Sequence, residues 1–151
     1  MIPPASPYSL IQEHVWPNRW LVIVTSMMLN CTRRKQVEKV LPDFVQLWPD
    51  PETFVKADDA DVIDLIRPLG FANRRTVNLK SMSKRFITKD WFDARELPGV
   101  GAYAAAAYEI FCLGKVPAKA PDDHALKQYV FWFNEVVRSG HRTIEVRNQN
   151  A

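Results

Sequence analysis

The apolar positions of this chain recur at helical spacing almost from end to end. Val37, Val40, Leu41, Phe44, Val45 and Trp48 stand at i, i+3, i+4, i+7, i+8 and i+11. That spacing lines one face of a helix running from a Thr32 cap toward Trp48. Asp58 is placed to cap the next helix, with Val62, Ile63, Leu65 and Ile66 inside and a stop near Pro68 and Gly70. Residues 73–87 form a basic amphipathic stretch whose apolar members are Val77, Leu79, Met82 and Phe86. Ala102 to Leu113 is alanine-rich, strongly helical by propensity and closed by Gly114. Asp122 or Asp123 opens a last helix that buries Leu126, Tyr129, Val130 and Phe133. Near the start, Ser6-Pro7 has the form of an N-cap followed by proline at the first helical position. Convincing alternating strands are absent: the β-like Leu21 to Val24 lies inside a longer apolar helical pattern. The pattern predicts an all-α domain of about eight to ten short helices.

Composition narrows the class. A chain of 151 residues suits one domain, at about 100–200 residues each. We expect it to occupy residues 1–140, with 141–151 as a C-terminal tail. Hydrophobic residues make up 47% and charged residues 25%, which fits a globular domain and excludes a disordered, collagen-like or coiled-coil chain. The most apolar stretch, Trp20 to Cys31, contains Thr25, Ser26 and Asn30 and falls short of the roughly 18 apolar residues a membrane span needs. No membrane partner is expected, and the Met-Ile-Pro-Pro start has no signal-peptide pattern. Two cysteines, Cys31 and Cys112, supply neither a disulfide framework nor four thiolates for a metal. No metal site is predicted, and a reducing compartment is the simplest setting.

Charge is unevenly spread. Between Asp50 and Asp64 there are six acids and one base, Lys56. Between Arg67 and Lys89 there are seven bases and no acid, and Arg33-Arg34-Lys35 adds a second basic knot. A segregated basic zone suits a polyanion, because neutralised phosphates release counterions. A solvated helix face would account for the same pattern.

The chemically suggestive segment is Leu97-Pro98-Gly99-Val100-Gly101, between two helical segments. Both glycines can take positive φ, so the turn is tight and its N–H groups can face outward. A helix N-terminus follows at once, so the corner could grip a phosphate without a side chain. The small residues of Ala-Tyr-Ala-Ala-Ala-Ala would let the second helix lie close to the first. An ordinary helix–helix corner would use the same residues.

This corner resembles the helix-hairpin-helix motif of the DNA glycosylase superfamily that includes endonuclease III and the adenine glycosylases. Further segments are similar to the glycosylase domain of the methyl-CpG-binding thymine glycosylases. They are Ser6-Pro7-Tyr8-Ser9-Leu10-Ile11-Gln12-Glu13, Met28-Leu29-Asn30-Cys31-Thr32, Arg67-Pro68-Leu69-Gly70, Tyr103 with Tyr108-Glu109-Ile110-Phe111-Cys112, and Pro121-Asp122-Asp123-His124. The resemblance runs in order over residues 3–137 and leaves no length for a methyl-CpG-binding module. It implies an all-α helix-hairpin-helix glycosylase fold with a cleft for DNA and base between two helical lobes. It also implies excision of a flipped base from double-stranded DNA.

Residue roles follow from the same resemblance. Asp122 and Asp123 both sit at a helix start, where either could be a plain N-cap; the family pattern selects Asp123 as the catalytic carboxylate. Tyr103 stands where bifunctional members carry a nucleophilic lysine. A phenol forms no Schiff base, so a monofunctional enzyme without AP lyase activity is expected. Gln12 corresponds to the residue that bonds the flipped pyrimidine, its amide offering both donor and acceptor, with Leu10 and Ile11 in the same wall. Leu69, followed by Gly70, corresponds to the wedge that enters the base stack. Leu97, Gly99, Val100 and Gly101 would hold the DNA backbone, and His124 would orient a phosphate or cap the last helix. Cys31 departs from the basic or amide plug usual at its position, with Arg33 and Arg34 as substitutes; Ala125 stands in place of a lysine.

The expected activity is removal of thymine or uracil, with 5-substituted uracils as further candidates, opposite guanine, initiating base excision repair. The alternatives are a non-catalytic helix-hairpin-helix DNA-binding module and a protein-interaction helical domain. The expected partner is duplex DNA holding a mispaired or damaged pyrimidine, bound by a monomer. No cofactor is expected beyond a monovalent cation at the hairpin, and no iron–sulfur cluster. Residence would be the nucleus in a eukaryote, and the cytoplasm or nucleoid otherwise.

Overall fold

A helix apolar on every side has to be enclosed by its neighbours, and α2 (Arg19–Leu29) is that helix: every residue from Trp20 to Met28 is buried. The computed structural model describes residues 2–119 and 121–139. Around α2 stand α1 (Ile11–Val15), α3 (Arg34–Leu47), α4 (Pro51–Val55), α5 (Asp59–Ile66), α6 (Ala72–Thr88), α7 (Ala102–Cys112) and α8 (His124–Trp132). Short 3-10 turns at Arg67–Leu69 and Ala94–Glu96, and a π turn at Phe133–Val137, complete the order. No strand occurs among the described residues.

The core divides into two apolar clusters with α2 and α7 as their common wall. The larger gathers Ile23, Val24 and Met28 of α2 with Val37, Val40 and Phe44 of α3, Val62 and Ile66 of α5, and Leu79 and Met82 of α6. Its densest part is aromatic: Trp20, Phe44, Trp48 and Phe54 have ring centroids 5.1 to 6.0 Å apart. Trp20 Nε1 donates to Ser83 Oγ at 2.9 Å, so the buried indole leaves no unpaired N–H. The smaller cluster joins Leu10, Val22, Ala107, Ile110, Phe111, Leu126, Tyr129 and Val130. Alanines on α7 serve the contact with α2: Ala104 and Ala105 face the larger cluster and Ala107 the smaller.

Several local expectations change. Ser6 caps nothing; α1 starts at Ile11. The Glu13 carboxylate instead accepts Ser6 N, Ser6 Oγ and Leu10 N at 2.6 to 2.8 Å and folds the segment back on the helix. Arg33 rather than Thr32 precedes α3, because the Thr32 hydroxyl is taken by Arg75. Val77 is 62% exposed, since α6 turns Thr76, Leu79, Lys80, Met82 and Ser83 inward. Asp58 caps α5 as read, accepting Ala60 N at 3.0 Å. The tail at 141–151 lies outside the described residues.

Candidate active site

Asp123 is the N-cap of α8: its Oδ2 accepts Leu126 N at 3.0 Å. Its other oxygen accepts nothing among the described residues. Asp122 is exposed and makes no hydrogen bond there. Fixed orientation with one free oxygen therefore distinguishes Asp123 from its neighbour. His124 is exposed and takes no part in the cap.

Three separate helices bring side chains together beside Asp123. Gln12 of α1, only 1% exposed, donates from Nε2 to Tyr103 Oη at 2.8 Å and to Ser26 Oγ at 3.3 Å. Ser26 of α2, fully buried, donates to Val22 O at 2.7 Å. Burial first, and then the charge of the Asp123 carboxylate, push the Tyr103 phenol up to about 12 against the opposing bond from Gln12. Tyr103 is therefore a neutral hydrogen-bond donor at any working pH.

This cluster borders a pocket of about 370 Å³ between the end of α2, the start of α6 and the glycine corner; Ser26, Met28, Cys31, Phe71, Arg74 and Tyr103 are among its lining residues. Gln12 and Asp123 reach it only through Tyr103, and Leu10 and Ile11 do not line it. Leu10 and Ile11 are at most 5% exposed and packed into the two clusters, because only the polar Gln12 of that stretch turns toward Tyr103.

At the corner, Gly99 alone has positive φ, at 75°. A Cβ there would come 2.9 Å from Asn78 Cβ and 3.2 Å from Met27 Cε, so this glycine is needed for both conformation and space. Gly101 is different: φ is −91° and the space beyond it is open. Leu97 anchors the turn inside the core and its carbonyl accepts Val100 N at 3.2 Å. Gly101 caps α7, and the N–H groups of Ala102, Tyr103 and Ala104 have no acceptor among the described residues. The first arm of the hairpin is only the 3-10 turn Ala94–Glu96, and α7 packs on it as well as on α2, with Ala94, Ala104 and Ala105 in one cluster.

Leu69 does not project. It is 5% exposed and packed in the larger cluster, because the Arg67–Leu69 turn closes back against α3. The chain then reverses through Gly70 (φ 78°) and Phe71 (φ 50°), and Phe71 stands 77% exposed at the pocket mouth. Sequence reasoning missed Phe71; its signal was an aromatic residue just after the turn glycine, ahead of the buried face of α6. Cys31, exposed and at φ 58°, lies across the same mouth.

Arg75 ties these two turns together. Its guanidinium donates to Gly70 O, Met27 O, Met28 O, Asn30 O and Thr32 Oγ1, satisfying carbonyls at the end of α2. Burial pulls its pKa below the ordinary arginine value. Arg75 thus leaves the basic zone read from sequence, and so does Lys80, which is buried and bonded to Val55 O and Ala57 O. Arg67 and Arg85 carry acidic partners, Asp64 and Asp90. Of the second knot, Arg34 bonds Glu38, Tyr8 O and Ser9 O, and the Arg33 side chain has no partner among the described residues.

The profile of the HhH-GPD superfamily of base excision DNA repair proteins matches residues 24–148. A methyl-CpG-binding domain protein 4-like protein of Arabidopsis thaliana is 38% identical over 128 residues, covering 85% of this chain and 29% of that one. A thymine-DNA glycosylase of Aeropyrum pernix is 32% identical over 94 residues, 58% of this chain and 42% of that one. Among solved structures, a thermostable thymine-DNA glycosylase superposes with a TM-score of 0.64 at 22% identity, covering 78% of this chain and 55% of that one. The chain thus spans less than two thirds of each of these relatives, and the structural match speaks for the fold. By sequence profile and by architecture, the chain belongs to the HhH-GPD superfamily of base excision DNA repair proteins.

Proposed function

We propose that this chain is a monofunctional DNA glycosylase that excises thymine or uracil, and 5-substituted uracils, opposite guanine in duplex DNA. The observation that carries this reading is the convergence of Gln12 and Asp123 on Tyr103, which itself lines a pocket walled by the glycine corner. The free proton of Tyr103 and the open Oε1 of Gln12 make a donor–acceptor pair. That pair complements the C=O and N–H of a pyrimidine lactam.

The phosphate backbone would approach Gly101 and the free N–H groups of α7, where the helix dipole favours an anion. Phe71 takes over from Leu69 as the side chain that enters the stack behind the flipped nucleotide. As the N1–C1′ bond breaks, its electron pair leaves on the base and positive charge builds on the sugar. Asp123 stabilises that charge and receives a proton from the water whose oxygen bonds C1′. The Tyr103 hydroxyl donates to the carbonyl on which the departing base gathers charge. No lysine stands at position 103 to attack the sugar, so the product is an intact abasic site. The carbonyls of Pro98, Gly99 and Val100 accept no hydrogen bond among the described residues; they would hold a monovalent cation, which would supply positive charge for an approaching phosphate.

The test uses duplexes carrying G·T, G·U or 5-hydroxymethyluracil opposite guanine, followed by alkaline cleavage. The wild-type chain should release base, and Asp123→Asn should lower the rate about 100-fold or more. Borohydride should trap no covalent adduct. Undiminished release by Asp123→Asn contradicts the catalytic assignment, and a trapped adduct contradicts the monofunctional one.

A further inference from the structure

We infer that Ser26 is a positioning residue that fixes the polarity of the Gln12 amide, and so decides which pyrimidine edge the pocket accepts. The inference rests on the pyrimidine-excision reading above and deepens it.

A serine hydroxyl has one proton to donate. Ser26 spends it on Val22 O, its partner one helical turn back, at 2.7 Å, and a carbonyl can only accept. Toward Gln12, at 3.3 Å, Ser26 Oγ can therefore act only as an acceptor. The amide must then present its nitrogen on that side. The same nitrogen also reaches Tyr103 Oη at 2.8 Å, so the phenol accepts from Gln12 and its own proton stays uncommitted. One buried hydroxyl thus determines two outputs: a free donor on Tyr103 and a free acceptor on Gln12.

Those outputs match uracil and thymine, which offer a carbonyl beside N3–H. They oppose cytosine, whose N3 is a lone pair beside an amino group. Without the Ser26 oxygen the amide can turn over. Oε1 would then accept the Tyr103 proton, and Nε2 would face the base, which is the pattern cytosine wants. A pocket that pairs every polar atom of one base rejects the base that leaves them unpaired. Ser26 is fully buried within α2, so solvent cannot substitute for its oxygen.

The test compares Ser26→Thr and Ser26→Val, two variants of one shape that differ in the hydroxyl. Single-turnover excision of uracil and of cytosine opposite guanine is measured for each, with affinity for a duplex holding an abasic-site analogue as the control for folding and DNA binding. Ser26→Thr should retain the wild-type rate and preference. Ser26→Val should release uracil about 10-fold more slowly, the loss expected from one buried hydrogen bond, with a narrowed uracil-over-cytosine ratio and unchanged duplex affinity. Independently of turnover, the side-chain amide protons of Gln12, followed by 15N NMR, should be protected from exchange in the wild type and Ser26→Thr and unprotected in Ser26→Val. A wild-type rate and ratio in Ser26→Val, or equal protection in all three proteins, overturns the inference while leaving the function standing. If the wild-type chain releases no pyrimidine, the function fails, and the exchange comparison alone decides whether Ser26 orients the amide.

Discussion

Two apolar residues, two positions apart, have opposite fates. Leu69 is packed in the core, whereas Phe71 is held out in solvent at a left-handed φ that a bulky residue rarely adopts. Exposure and strain together are costs for folding, and the role against DNA proposed for Phe71 would account for them. Leu69→Ala should therefore destabilise the fold by about 2–5 kcal/mol, seen as a lower thermal midpoint. Phe71→Ala should leave that midpoint in place, or raise it slightly, and lower base excision. A 2-aminopurine reporter beside the target base should show reduced flipping for Phe71→Ala alone. Equal loss of stability in both variants would return the wedge role to Leu69.

At the scale of elements, the corner before α7 assigns different work to its two glycines. Gly99 relieves a contact with Asn78 and Met27 and carries the positive φ, while Gly101 opens a face. Gly99→Ala is expected to cost about 1–3 kcal/mol of stability. Gly101→Ala should fold as the parent does and bind duplex DNA about 10-fold more weakly, since its methyl would obstruct phosphate approach to the free N–H groups. Thermal melts and anisotropy titrations of both variants separate these effects. Wild-type DNA affinity in Gly101→Ala would remove the anion site from this corner. The neighbouring junction of α2 and α6 relies on Arg75, whose five bonds tie the residues flanking Cys31 to Gly70, the residue before Phe71. That explains why an arginine in a basic run is partly withdrawn from solvent.

For the whole molecule, the distribution of spent and unspent charge would set how the proposed DNA binding responds to salt. Arg75 and Lys80 are consumed inside the protein, and Arg67 and Arg85 carry acids. Of the seven bases of the run, three, Arg74 at the pocket, Lys84 and Lys89, keep unpaired side chains among the described residues. With about three phosphates neutralised, log K should fall against log salt with a slope of about −3. A slope near about −6 would require all seven bases of the run and would contradict this accounting. The sequence by itself determined the helical class, the glycine corner and the candidates at Gln12, Tyr103 and Asp123, because periodicity, turn chemistry and an ordered set of short motifs are local or linear properties. Only tertiary packing decided that Leu10, Ile11 and Leu69 turn inward, that Phe71 turns outward, and that Ser26 orients an amide on another helix. Those outcomes depend on which face of each helix meets a neighbour and on where a single proton is spent, and neither quantity is written in the order of the residues.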